Sequence, residues 1–435
     1  MSIKKNALAT VALTGIAVAV SSAYAAGFQL TEQSSLGLGR AYAGAGVVGD
    51  DLSAAWYNPA GMTLLPGTRI QAGSVYIEVD APFTGDDGTK ENGRLKGQAI
   101  PTGYITHQLN DQTWLGLAMA VPFGMGTEYN TDWKYATAGN ESMVMTIDIN
   151  PSIAYKVNDF VSVAAGLSLQ YAKAELGKSA GYVNPAYSAL AGGLAGNVAN
   201  GHVKADSWDW GWNVGVMIQP TETLRFGLSY RSAVEHIAEG DFTLSGQKFG
   251  GMSLTFDDAE VYVKTPDTVY LTGTWEATQD LRLSGLVRWA KWSNFKRLDI
   301  CSDKASALIN KDPASGSEHN WDDTWLFSLG ADYRLNNEWT IRGGIAYETG
   351  AIDAQMRTAT IPDADRVWLT AGATYNYSKQ MQFDFGFAYL RGIGNKDLWS
   401  HNNSEDLGAL GSHTKIGEYD SIDAYIFGAQ MQYRF

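Results

Sequence analysis

The chain has 435 residues, of which 45% are hydrophobic, 12% aromatic and 18% charged, and its formal net charge is −14. That acidic balance excludes nucleic acid as a partner, and the single cysteine, Cys301, excludes an intramolecular disulfide. Past residue 25 no segment is apolar enough for a membrane helix, yet 14 Trp, 22 Tyr and 15 Phe have to be placed.

The first 25 residues read as a secretory signal. Lys4 and Lys5 precede an apolar run from Ala7 to Val20, and Ala23-Tyr24-Ala25 offers a small-residue cleavage site before Ala26. The run is shorter than the ~20 residues that cross a bilayer as a helix. Cleavage removes two lysines and no acids, so the charge falls from −14 to −16.

Residues 26–66 read as a plug and residues 67–435 as its container. The segment Ala26 to Leu65 is broken by glycines at 27, 37, 39, 44, 46, 49 and 61, so it cannot form one long regular element. Its apolar residues, Phe28, Leu30, Leu36, Leu38, Val47, Val48, Leu52, Trp56 and Tyr57 among them, are too few for a core of its own. Gly44 to Gly49 matches G-x-G-x-x-G, but no buried strand precedes it, so the glycines read as plug flexibility.

From residue 67 onward the apolar residues alternate with period two. Val161 to Tyr171, Leu224 to Tyr230, Leu281 to Trp289 and Phe383 to Tyr389 each keep an apolar face. Many such runs reach the ~9–11 residues of a tilted membrane strand. Short polar turns at 110–112, 158–159, 220–223, 278–280, 336–338 and 378–380 each join two runs. Six hairpins make twelve strands, and Thr68 to Asp80 and Tyr419 to Phe435 bring the total to fourteen. Longer Gly/Asn/Asp/Ser-rich segments at 177–203, 301–322 and 394–418 read as loops, with Cys301 an incidental loop residue. Short turns at one end and long loops at the other mark an outer-membrane barrel, which must close because lipid satisfies no free strand edge. The last strand puts Tyr425, Phe427, Ala429, Met431, Tyr433 and Phe435 on one face, which is expected to meet lipid.

Strand three, from Thr113 to about Glu128, contains Val121-Pro122-Phe123-Gly124. Proline cannot donate to a ladder and belongs at edges, strand starts or bulges. In a closed barrel this strand is therefore expected to bend inward at Pro122, Phe123 and Gly124 and to leave a gap in the wall.

Neither catalysis nor a metal finds a residue pattern. The six histidines show no ligand spacing, and Gly177-Lys178-Ser179-Ala180-Gly181, a G-x-S-x-G match, opens a loop after a membrane strand instead of a nucleophile elbow. No enzyme activity and no cofactor are expected. A lipid hydrolase would need a Ser-His or acid dyad on adjacent strand ends, and a general porin an unobstructed polar lumen.

Gly27-Phe28-Gln29-Leu30, Gly37 to Tyr42, Asn58-Pro59-Ala60, Tyr230-Arg231-Ser232, the tract Trp289 to Phe295 and Ile361 to Leu369 occur in an order that resembles the FadL/TodX family of outer-membrane transporters. The resemblance covers essentially the whole mature chain. It implies an all-β, 14-stranded antiparallel transmembrane β-barrel with a small N-terminal hatch in the lumen, in which Asn58, Pro59 and Ala60 belong to the hatch. It implies passive transport of hydrophobic molecules, long-chain fatty acids or aromatic hydrocarbons, with lateral release through a kinked strand. The partners implied are those small molecules and outer-membrane lipid; the sequence is silent on oligomeric state, and a monomer is the expectation. Phe28 and Lys178 are the expected ligand-binding residues. Lys178 matches a carboxylate-contacting arginine of the fatty-acid transporters, whereas the second basic position of the family aligns with Asp322. Lys178→Ala is thus expected to weaken carboxylate binding by roughly 1.5–3 kcal/mol. In the loop 177–203, Ala186, Leu190 and Leu194 at i, i+4 spacing suggest a short helix with an apolar stripe.

Overall fold

Each of the six short polar segments closes a hairpin in the computed structural model, which describes residues 27–92, 97–129, 133, 140–183, 196–305, 317–399 and 414–435. The expected signal segment lies outside these residues. The wall has fourteen antiparallel strands. They are β1 (Thr68–Asp80), β2 (Gln98–Gln108), β3 (Thr113–Ala120, resuming at Gly124–Glu128), β4 (Glu141–Lys156), β5 (Val161–Val183) and β6 (Gly196–Thr221). Next come β7 (Leu224–Arg231, resuming at Glu235–Ser245), β8 (Ser253–Lys264, resuming at Thr268–Glu276), β9 (Leu281–Ala290) and β10 (Thr324–Arg334). β11 (Trp339–Glu348), β12 (Asp365–Asn376), β13 (Met381–Ile393) and β14 (Asp423–Arg434) complete it. The ladder from Arg69↔Arg434 to Asp80↔Asp423 joins β1 to β14 and closes the barrel.

The period-two alternation sorts the wall as expected for a membrane barrel. Leu167, Leu169, Leu228, Leu271, Leu329, Leu369, Phe385 and Phe427 point outward and stay exposed, where lipid covers them. Between them the strands send Thr, Ser, Asn, Gln and charged residues inward, and many of these are fully buried against the plug. No helix among the described residues is long and apolar enough to cross a membrane.

The plug fills the lumen. Within residues 27–65 only Gly46, Gly49, Asp50, Thr63 and Leu64 keep partial exposure. Its regular elements are short: the single turns α1 (Ser35–Leu38) and α2 (Ala54–Tyr57) and a two-turn 3-10 helix over Pro59–Leu64. Gly46 has φ +80°, and a Cβ on Gly61 would come within 1.9 Å of the Gly46 carbonyl oxygen, so the chain crosses itself where only glycine fits. Asn58 caps the 3-10 helix by accepting from the Ala60 N–H at 3.2 Å and donates to the Val216 carbonyl of β6 at 3.0 Å. The wall makes room for it at Gly215 and Gly227, where a Cβ would clash with the Asn58 side chain at 2.1 and 2.7 Å.

A buried charge network ties plug to wall near the short-turn end. Arg40 of the plug pairs with Asp50 at 2.9 Å and with Asp332 of β10 at 3.3 Å, while Arg282 holds Asp50 and Arg342 holds Asp332, each at 2.9 Å. Burial works against the ionised Asp50 carboxyl, but Arg40 and Arg282 hold it well below the ordinary carboxylate range. Breaking such a pair strands a buried charge at a cost of about 3–5 kcal/mol. Arg40→Met is therefore expected to loosen the plug and raise ion conductance in planar bilayers. A variant as silent as the parent would show that the network does not hold the plug.

Three loop expectations are corrected. The loop placed at 177–203 begins and ends in strand, because β5 and β6 extend past the membrane and pair from Gly177↔His202 to Val183↔Gly196. Lys178 and the G-x-S-x-G match therefore lie on strand, since two facing extended runs satisfy each other's backbone groups where a loop would leave them to water. The proposed helix over Ala186 to Leu194 lies outside the described residues. Cys301 is buried at the end of a short strand, Arg297–Cys301, instead of lying in a polar loop. The loop 394–418 carries strands at Asp397–Trp399 and Lys415–Tyr419, which join Pro82–Gly85 and Lys90–Asn92 in a second, four-stranded sheet. The last wall strand accordingly starts at Asp423, not Tyr419.

Candidate functional site: an aromatic cluster beside a break in the wall

The site is built where β3 fails. Its first piece stops at Ala120, paired with Asp148 of β4, and its second starts at Gly124, paired with Met145. Three residues on β3 thus span two on β4, the count of a β-bulge. On the other side β2 pairs with β3 only from Gly103↔Met119 to Gln108↔Trp114. Among the described residues, Gln98–Thr102 of β2 have no ladder partner on that side, and the wall is interrupted there. Pro122 supplies the cause, since it has no N–H to give.

The plug satisfies the polar groups that the break leaves over. The Leu30 N–H donates to the Pro122 carbonyl at 2.7 Å, and the Gly124 N–H donates to the Phe28 carbonyl at 2.9 Å. Gln29 and Phe123 form an isolated antiparallel bridge. The Gln33 side chain donates to the Val121 carbonyl at 2.7 Å and accepts from the Val121 N–H at 3.0 Å. The first residues of the plug thus pair with the interrupted wall as an added strand.

Phe28 is carried by that segment into an aromatic cluster. Its ring meets Trp292 at 4.7 Å, Trp321 at 5.6 Å, Phe295 at 5.8 Å and Phe123 at 5.9 Å, all edge to face. Met125, Ala290, Ala351, Ile352 and Ile361 complete the buried apolar group. The indole N–H groups of Trp292 and Trp321 are buried without hydrogen-bond partners among the described residues. Asp323 at the rim accepts from the Trp289 indole N–H at 3.1 Å and from the Ser293 N–H at 3.0 Å.

Four residues on from Phe28 stands a buried acid, Glu32, whose carboxyl oxygens have no hydrogen-bond partner among the described residues. Burial, reinforced by Glu348, pushes its carboxyl up to about 8 against the pull of Arg366 and Arg288. Arg288 and Glu348 form a fully buried ion pair at 2.6 Å, and Arg288 also donates to the Thr31 hydroxyl at 2.6 Å.

The structure brings Phe28, Pro122, Phe123 and Gly124 together and leaves Lys178 apart. Lys178 is exposed on the extension of β5. It lies six residues beyond Ala172, the partner of Thr146, whose N–H donates to the Phe123 carbonyl, or about 20 Å at the rise of a strand. Asn58, Pro59 and Ala60 lie in the plug against β6.

The fold also creates two groupings that residue spacing hid. Ser207 and Asp209 both approach Nδ1 of His236, at 3.0 and 3.1 Å, while Gln170 faces Nε2 at 2.9 Å. A nucleophilic relay needs hydroxyl and acid on opposite ring nitrogens, so this trio has no relay geometry. Glu141, Glu175 and His202, from three neighbouring strands, bring ligand atoms within 4.8 Å of one another. Glu175 there already pairs with Lys173 at 2.7 Å and Lys204 at 3.5 Å.

Comparison with known proteins agrees with this geometry. Residues 16–435 match the sequence model of the outer membrane protein transport protein (OMPP1/FadL/TodX) family. The long-chain fatty acid transport protein of Escherichia coli O6:H1 is 30% identical over 99% of this chain and 98% of its own. The 47 kDa outer membrane protein of Pasteurella multocida is 30% identical over 89% of this chain and 92% of its own. Among solved structures, a Pseudomonas aeruginosa FadL homologue superposes with TM-score 0.81 at 22% identity, covering 94% of this chain and all of that one. The Pseudomonas putida toluene transporter TodX follows at 0.68 and 17%, over 88% of this chain and 94% of its own. The chain is a member of the OMPP1/FadL/TodX family of outer-membrane transporters of hydrophobic compounds.

Proposed function

We propose that the chain carries long-chain fatty acids passively across the outer membrane, by binding them in the aromatic cluster and releasing them sideways at the break in β3. The observation that supports this reading is Phe28, an apolar side chain on an added strand that fills a cage next to an interrupted wall. Cargo displaces the Phe28 ring, the bonds of residues 28–33 to Val121, Pro122 and Gly124 part, and the gap beside β2 opens to lipid. An apolar chain gains ~0.8 kcal/mol per CH₂ on leaving water, so a sideways route avoids the unfavourable passage through the polar lumen. The long-chain fatty acid transport proteins at 30% identity support the fatty-acid choice.

Neutral aromatic hydrocarbons are the second reading. The buried cluster holds no charged side chain, and acids, Asp322 and Asp323, follow Trp321 where a carboxylate ligand would want a cation. Mass spectrometry of ligands co-purified from membranes separates the two. Long-chain acids support the first reading, and neutral aromatics alone replace it with the second.

Lys178 belongs to the outer mouth in this scheme, where it draws acidic cargo toward the barrel. Because its side chain is exposed, the effect expected from the sequence shrinks to under about 1 kcal/mol. Lys178→Ala is expected to slow capture of a carboxylate at low salt and to leave a neutral aromatic unaffected. Equal slowing of both would assign Lys178 to the structure of the β5 extension.

A further inference from the structure

We infer that Arg231 is the residue that recognises the head of an acidic cargo. This rests on the transport reading above and adds to it the cation that the aromatic cluster lacks. Arg231 ends the first piece of β7 and lines a cavity whose apolar wall includes Leu30, Trp56, Pro122 and Phe123. Phe123 also belongs to the aromatic cluster, so cluster and cavity share a wall. A cargo with its tail in the cluster has a cation within reach past Phe123.

The guanidinium is held but not saturated. Its carbon lies 3.4 Å over the Trp56 ring, and Nη2 donates to the Trp56 carbonyl at 2.9 Å and toward Asn150 at 3.4 Å. Nη1 is buried and has no hydrogen-bond partner among the described residues. A buried donor in this state has given up water and gained nothing in return, which is costly unless a ligand completes it. The balancing anion, Asp148, stands behind the cavity wall and is turned to the Ser168 hydroxyl and, at 3.0 Å, to the Gln170 amide, both of which line the cavity. The cavity therefore presents a positive charge at its surface and a negative one a layer deeper.

A fatty-acid carboxylate accepts from Nη1, while its methyl ester offers only a neutral carbonyl. The test is calorimetric binding of oleate and of methyl oleate to the full-length protein in detergent, with refolding verified by heat-modifiable gel migration. The parent is expected to prefer oleate by roughly 10- to 100-fold, the range of one charge-assisted hydrogen bond. Arg231→Gln should erase the preference and keep methyl oleate binding, and Arg231→Lys should retain part of it. Asp148→Asn should strengthen oleate binding and leave methyl oleate unchanged, a result open even if Arg231→Gln fails to fold. Equal affinity of the parent for both ligands, or a preference that survives in Arg231→Gln, overturns the role of Arg231. Failure of the parent to bind either ligand overturns the transport reading beneath it.

Discussion

A variant combining Gln29→Cys and Phe123→Cys in a Cys301→Ser background is expected to stop transporting when oxidised and to recover when reduced. The two residues form an antiparallel bridge, and bridged partners have Cα atoms about 4.5–5.5 Å apart, inside the 4.4–6.8 Å that a disulfide spans. The bond fixes the first turn of the plug onto the break in β3 without touching any wall ladder. Uptake in the oxidised form should fall at least about tenfold below that of the same variant reduced, which controls for the lost Phe123 ring. Replacing Pro122, Gly124 and Gly126 with β-favouring residues should also block uptake, by letting β3 run on and pair with Gln98–Thr102 of β2. Undiminished uptake by a folded, fully cross-linked barrel would falsify the sideways route.

Glu32→Gln is expected to tighten the plug by about 3 kcal/mol at pH 7 and to remove most of its pH dependence. Seated, the carboxyl titrates at about 8 because it is buried beside Glu348; released into water, it returns to the ordinary carboxylate range. Below that range both states hold the proton and seating is not penalised. Between the ordinary value and about 8 the released segment sheds the proton that the seated one keeps, so seating weakens by about 1.4 kcal/mol per pH unit. Above about 8 both are ionised and the penalty levels off. The groups facing Glu32 are Glu348 of β11, Arg288 of β9, Arg366 with its partner Asp363, and Tyr42 of the plug. Hydrogen-exchange protection factors for residues 28–33 should fall from pH 5 to pH 8 in the parent and stay flat and higher in the variant. A parent whose protection does not change over that range would contradict the argument.

The wall was legible because lipid imposes a rule that sequence obeys locally: every second residue must be apolar, and every hairpin at one end must be short. Thr68 to Asp80 and the six turns follow from that rule alone, and the break at Pro122 follows from proline's missing N–H. The interruption of β7 after Arg231 was not legible, whereas that of β8 after Lys264 contains Pro266, a breaker of the same kind as Pro122 that the strand reading passed over. Ser232-Ala233-Val234 carries no strong breaker, and the gap is held by remote partners, with Val234 bonded to Thr265 and the Ala233 N–H to Asp267 at 3.1 Å. Phe28 could be singled out only through the family resemblance, because its significance lies in four rings from three distant stretches. Arg231 was visible only as a landmark, since a missing hydrogen-bond partner has no signature in sequence.

The plug also reports on the order in which the molecule is completed. The Gln430 side chain of β14 accepts from the Ser35 N–H at 2.8 Å, and Gln432 donates to the Asp50 carbonyl at 3.0 Å. Gly428 is small where Ser35 approaches, a Cβ there falling 2.7 Å from the Ser35 hydroxyl. These contacts span nearly the whole chain and come into being only once the last-made strand is in place beside the first. The plug segment, made before any wall strand, therefore has to wait for the last one, and a barrel stalled one strand short would be leaky as well as open-edged.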